Sequence, residues 1–471
     1  MIARIDTDAA RASHWDVIVA GSSFASQFFQ IGLPSNLRVL IIEKGDEVPW
    51  DAQIYQDARP VERIRVENRS DREKSFVAHT MFGGNSNCWW GQTPRFHPND
   101  FRLASLYGIG ADWPLSYDEL EPFYVAVEQV MQVAGGGTEH IHPRSAPLPY
   151  PPHHLSRTDE ILVQWRPDIW VPVASARANG GDRTSCCTNG ICHVCPIDSK
   201  FRISNSIAAF ARPNVHILMN AECRGIETSA RKAGGMTVRV DGREVSLRGD
   251  LFALGTNALF NAAILLRSGL GGAAVGRYLH EQESLVLTLD IDAKNYFGGS
   301  AITGHCFGAY DGPHRSTAAA VLIENYNAPN ALRTDRGRWT EAMYLKLIAE
   351  DIPQPSNRVV LDADGTPFVE WTGFTNYAKA GLERAEELLP ELLPFQIERI
   401  TGRSAPSSDA HIQGTHRMGT DPASSVVDAG SRLHGVENLF VLGSGVFPSC
   451  SPANPTLTLS ALALRAGKGV A

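Results

Sequence analysis

Four thiols lie within ten residues, in SCCTNGICHVCPIDSK: Cys186, Cys187, Cys192 and Cys195. Thiolates so spaced could hold a metal. A close run of cysteines ending in Cys-Pro is a pattern of iron–sulfur ligation. Zinc is a rival, although the vicinal pair is awkward for tetrahedral closure. Disulfides in an exported chain, and plain free thiols, are the others. A second chemical signal lies in DVIVAGSSFASQFF, residues 16–29. A dinucleotide fingerprint, G-x-G-x-x-G, would have three glycines here. Only Gly21 is present, and Ser23 and Ser26 take the other two places. Serine is small enough for the second place if its φ is ordinary. At the third place it adds volume to a close helix–strand contact.

The elements around that turn support the signal. DVIVA reads as a buried strand, the residues after the turn as a helix, and RVLIIEKG as a second strand carrying Glu43 at its end. The spacing from Gly21 to Glu43 suits an acid that bonds a ribose hydroxyl. Further on, VHILMN, MTVRV and DLFALG read as strands, and 283–325 and 343–371 alternate as an antiparallel sheet would. Residues 134–160, rich in Gly, Pro and His, read as a loop or linker. KAGLERAEELLPELLP (379–394) reads as an amphipathic helix. NLFVLGSGVFPS reads as a strand, and PTLTLSALALRAGKGVA as a helix returning to the first domain. The 471 residues allow more than one domain. A formal net charge of -8 argues against a nucleic-acid partner. No apolar run approaches the roughly 18 residues of a membrane span. The opening residues carry no apolar leader, so we expect a cytoplasmic protein, with export on a partner subunit left open.

Three further segments complete the pattern: TMFGGNSNCWWGQTPRFHPNDF (80–101), DWPLSYDELEPFY (112–124) and HIQGTHRMGT through PTLTLSALALR (411–465). With the N-terminal unit they resemble the glucose-methanol-choline (GMC) flavoprotein oxidoreductases, most of all the pyranose oxidases and FAD-dependent sugar dehydrogenases. The resemblance runs from one end of the chain to the other. It implies an α/β fold with an antiparallel sheet: a Rossmann-type FAD-binding domain interleaved with a substrate-binding domain. We expect the FAD domain in 1–110, 200–282 and 425–471, a linker and cysteine insert in 111–199, and the substrate domain in 283–424. The implied activity is FAD-dependent oxidation of a hydroxyl of a sugar or glycoside to a carbonyl.

The resemblance also assigns residues. His411, in the family's H-x-x-G-T motif, would be the base, and Asn454 its partner. The chemistry agrees: a near-neutral imidazole can take a hydroxyl proton, and an amide can bond the oxygen without competing as a base. His416 is given a structural role. Gly21, Ser22 and Ser23 would meet the pyrophosphate and Glu43 the ribose. Gly83, Gly84, Asn87 and Cys88 would lie along the flavin, and Cys223 would give backbone contacts to adenine. Asn454, Pro455 and Thr456 would close over the ring. Cys88 stands where pyranose oxidases carry a histidine bonded covalently to flavin. A thioether and a small buried side chain are its two readings. The cysteine run looks like the insert of FAD-dependent glucose dehydrogenases, which use three cysteines for a [3Fe-4S] cluster; this implies electrons leaving through a [3Fe-4S] or [4Fe-4S] cluster to a partner subunit or cytochrome. The rival outcomes are an oxygen-using pyranose or glycoside oxidase, an aminoglycoside-type biosynthetic oxidase, and a flavin-less binding or electron-transfer protein.

Overall fold

The computed structural model describes residues 2–188, 192–327 and 339–470. A six-stranded parallel sheet is its first layer. In spatial order its strands are Ala3–Arg4, Val215–Leu218, Val39–Ile42, Trp15–Ala20, Gly249–Leu254 and Leu439–Val441. The four residues of Val39–Ile42 and most of Trp15–Ala20 are buried, as the continuous apolar runs require for a sheet covered on both faces. The strands come from chain segments some 200 residues apart, so the chain leaves this layer and returns to it twice.

Helices Phe24–Gly32 and Thr456–Lys468 cover the sheet and pack on each other. Gly32 and Gly467 make that contact possible: a Cβ on Gly467 would come 2.2 Å from the carbonyl oxygen of Phe29. The expected C-terminal helix is therefore present, docked on the first domain. Helix Tyr117–Met131 joins the same layer through a Tyr124–Thr458 hydroxyl bond of 2.8 Å. The segment expected as linker thus contributes to the core. The expected loop over 134–160 also ends early, because Ser156 caps the helix Arg157–Trp165 by accepting from Asp159 N–H.

The second layer is a six-stranded antiparallel sheet. Its order is Ile397–Ser404, Glu283–Ile291, Ala342–Ala349, Val321–Tyr326, Ile302–Cys306 and Trp170–Pro172. Alternation divides its residues. Leu285, Leu287, Ile323, Leu345 and Leu347 face a core covered by helix Asn376–Glu387. His305, Glu324 and Lys346 stand opposite one another on the other face. The helix expected over 379–394 starts three residues earlier and breaks before Leu389, where Pro390 opens a second short helix, Leu389–Leu392. The DADG hairpin is present, pairing Arg358–Leu361 with Pro367–Trp371.

Candidate functional site

The turn after Trp15–Ala20 needs its glycine. Gly21 has φ +92°, and a Cβ there would meet the Gly255 carbonyl oxygen at 2.6 Å. Ser23, with φ −88°, sits without strain at the N-cap of Phe24–Gly32. Ser26 is buried, and its hydroxyl lies 3.2 Å from the carbonyl oxygens of both Ala20 and Gly255. A Cβ on Gly255 would stand 2.2 Å from Ser26 Oγ. The space that a third glycine gives is here supplied from across the contact, by Gly255.

Ser22 donates its hydroxyl to Glu43 Oε2 at 2.5 Å and accepts the Gly83 N–H at 2.8 Å. It is thereby engaged inside the protein. Glu43, 6% exposed, also accepts the Gly45 N–H at 3.0 Å. Burial pushes its carboxyl up, against the hydrogen bonds from Gly45 and Ser22. Gly21, Ser22, Ser23, Glu43, Gly84 and Cys223 line one cavity of about 640 Å³, measured with its open mouth. Burial pushes the Cys223 thiol up to about 12, so it is an inert wall.

Thr80, Asn257, Phe260 and Arg267 line the same cavity and were missed from sequence. Asn257 caps the helix Ala258–Arg267, its side chain accepting from Phe260 N–H at 2.8 Å. The signal was present: GTN follows the strand DLFALG, and asparagine before an apolar run marks a helix start.

Gly83 (φ +80°) and Gly84 (φ +48°) form the next turn. Asn87 holds it, donating to the carbonyls of Phe82 at 3.0 Å and Gly84 at 2.9 Å. Cys88 follows, half-buried, and burial raises its thiol, opposed by the Lys200 charge. A thiol held protonated is a poor nucleophile.

The second cluster joins three segments. His411 Nδ1 is 3.1 Å from Gln282 Oε1, and Gln282 Nε2 donates to the carbonyls of Ser451 at 2.7 Å and Ala453 at 3.1 Å. One side chain thus ties the His411 loop to the turn before Asn454. The Asn454 Oδ1 is buried without a partner. Pro455 and Thr456 follow at the start of the last helix. Burial lowers His411 to about 4, the Asp409 charge opposing it and Lys346 adding to it. Asp409 accepts from Lys346 Nζ at 2.5 Å and from the Ser284 hydroxyl. Burial would raise the Asp409 carboxyl, but the Lys346 charge and these bonds hold it low. His416 packs on Gly445 with Nε2 3.3 Å from the Leu442 carbonyl oxygen, a structural place.

The four clustered cysteines are brought near one another but not into a ligand set. Cys187 is exposed, whereas Cys192 and Cys195 are buried. Cys192 Sγ accepts from Arg177 Nη1 at 3.0 Å, and Cys195 Sγ from the Ser199 N–H at 3.3 Å. Among the described residues no three His, Cys, Asp or Glu are placed to hold a metal. The expected cluster site is not formed by this geometry. All eight thiols are unpaired.

Residues 353–463 match the family described as GMC oxidoreductase. That stretch holds His411 and Asn454. The stretch carries the C-terminal domain of the GMC oxidoreductases. It is similar to the fructose dehydrogenase large subunit of Gluconobacter japonicus, 28% identical over 82% of this chain and 80% of that protein. It is similar to 6'''-hydroxyparomomycin C oxidase of Streptomyces lividus, 27% identical over 97% of this chain and 91% of that protein. Among solved structures, pyridoxine 4-oxidase from Mesorbium loti shares the fold, with a TM-score of 0.68 and 18% identity over 97% of this chain and 99% of that one. The chain is an enzyme acting on CH–OH groups, and FAD is the cofactor that its likeness to GMC oxidoreductases supports. The residues fit FAD: a glycine turn, a buried acid and a helix cap surround a cavity of the right kind, and an unpaired buried acceptor waits at Asn454. Among the described residues, no helix is long and apolar enough to cross a membrane.

Proposed function

We propose that this GMC oxidoreductase oxidises a hydroxyl of a sugar or glycoside to a carbonyl, with His411 as the base. The observation that carries this reading is the half-buried imidazole of His411, fixed at 3.1 Å by Gln282, which also holds the turn that presents Asn454. FAD, when bound, supplies the hydride acceptor. Ser22, Ser23, Gly84 and Cys223 would hold it along the cavity, with Glu43 at its ribose. His411 would take the hydroxyl proton as the carbon loses hydride, and the Asn454 amide would hold the reacting oxygen. The polar face of the antiparallel sheet, with His305, Glu324 and Lys346, offers hydrogen bonds to the remaining hydroxyls.

The relatives support a carbohydrate substrate, since two of them are a fructose dehydrogenase subunit and an aminoglycoside oxidase. The name of the first also suggests a partner subunit as electron acceptor. The described cysteines do not fit an iron–sulfur cluster, and no electron step is drawn through one. The test is anaerobic flavin bleaching with D-glucose, D-fructose and paromamine, for wild type and His411→Ala. At least one compound bleaches the wild-type flavin, and the variant keeps FAD but reduces it at least about 10²-fold more slowly, the low end for loss of a general base. Wild-type-like bleaching by the variant overturns the assignment. Peroxide formed on readmitting air marks an oxidase, and dye reduction without peroxide a dehydrogenase.

A further inference from the structure

A base histidine works only if the correct nitrogen is bare, and the structure shows what decides this. Gln282 is 1% exposed and stands just before the strand Glu283–Ile291. One end of its amide faces two backbone carbonyls, those of Ser451 at 2.7 Å and Ala453 at 3.1 Å. Carbonyls only accept, so the nitrogen must lie there. A flipped amide would set three oxygens against one another in a buried place. The amide oxygen therefore faces His411 Nδ1, at 3.1 Å, and it too can only accept. Nδ1 must carry the hydrogen. In a neutral ring, Nε2 is then left with its lone pair.

We infer that Gln282 is a positioning residue that fixes His411 in its Nδ1–H tautomer, so that Nε2 is the atom that receives the substrate's hydroxyl proton. The inference rests on the reading of His411 as the base. The balance is complete: the O–H proton goes to Nε2, the C–H hydride to FAD, and the carbon–oxygen bond becomes a carbonyl. The charged groups facing the ring, Asp409, Lys346 and Glu324, set how readily it is protonated, and none of them is hydrogen-bonded to Nδ1. Gln282 has a second consequence. Because the same amide holds the carbonyls of Ser451 and Ala453, the base and the turn carrying Asn454 are set to one geometry by one side chain.

Two measurements test this on the FAD-loaded enzyme. The first uses the wild type alone: NMR of the protein with ¹⁵N-labelled histidine, the His411 signals identified by their loss in His411→Ala. Near pH 7 we expect a protonated Nδ1 and a bare Nε2. A proton on Nε2 overturns the inference. The second uses Gln282→Met, which keeps the length and removes donor and acceptor. We expect bound FAD with a normal spectrum, normal reduction by dithionite, mixed tautomers, and flavin reduction by the active sugar slowed about 10²-fold. Wild-type speed in Gln282→Met, with His411→Ala inactive, defeats this inference and leaves the base assignment standing. An active His411→Ala defeats the base assignment itself.

Discussion

At His411 the surroundings set the proton affinity. A free imidazole titrates near 6.5. Burial here lowers the group to about 4. A lowered value means that the neutral base is fully present above it and is lost as pH falls through it. We therefore expect flavin reduction at saturating substrate to be flat from about pH 8 to about pH 6, with loss only as pH nears 4. Stopped-flow bleaching across that range checks it, and a limb centred near 6.5 would show a ring open to water. The residues of this kind that sequence reading singles out are those with local neighbours that define them. Gly21 lies in a strand–turn–helix, Glu43 ends the next strand, and His411 sits in a short motif. Gln282 has no such frame. It lies 129 positions before its partner, next to an ordinary strand, and only the pairing of segment 280 with 413 brings the two together.

At the scale of elements, the contact between Phe24–Gly32 and the end of Gly249–Leu254 explains a fingerprint with one glycine. A helix must approach a strand closely there, and the requirement falls on the pair of residues in contact. Sequence reading asks whether Ser26 is a glycine, because it sees one side only. The other side, Gly255, is 229 positions away. Substitution of Gly255 by alanine should push the Ser26 hydroxyl away and cost about 1–3 kcal/mol, as overpacking does. The matching measurement is thermal unfolding together with FAD retention on gel filtration. Ser26→Gly combined with Gly255→Ala should recover most of the loss, and failure to recover would place the strain elsewhere. The strand types and the antiparallel second sheet were legible because alternation and apolar runs are local. The cysteine run suggests ligands by spacing alone, and spacing in sequence does not fix how side chains point. One thiol is exposed, while the sulfurs of Cys192 and Cys195 accept from Arg177 and the Ser199 amide.

For the whole molecule, one buried cation joins distant parts. Arg315 has no exposed surface and donates to Asp100 at 2.8 Å and to Glu350 at 2.7 Å and 3.1 Å. Tyr310 donates to Asp100 at 2.7 Å and Tyr377 to Glu350 at 2.9 Å. The segment before helix Tyr117–Met131, the antiparallel sheet and helix Asn376–Glu387 meet at this guanidinium. Arg315→Met fills the space but leaves two buried carboxylates without their cation. We expect a loss of about 3–5 kcal/mol, read from urea unfolding. A change below about 1 kcal/mol would mean that the carboxylates find protons or water at little cost.

The parallel sheet also constrains the order of events during synthesis. Its edge strand Leu439–Val441 and the helix Thr456–Lys468 are made long after the elements they pack on, Gly249–Leu254 and Phe24–Gly32. A nascent chain near residue 430 has made the nucleotide turn and its acid but shows an open sheet edge and an uncovered apolar helix. Such a chain cannot complete the layer beneath its cofactor, whatever the supply of FAD. Cofactor capture then waits on residues 439–468, and the waiting intermediate, with its unpaired edge, is the state that chaperones would have to guard.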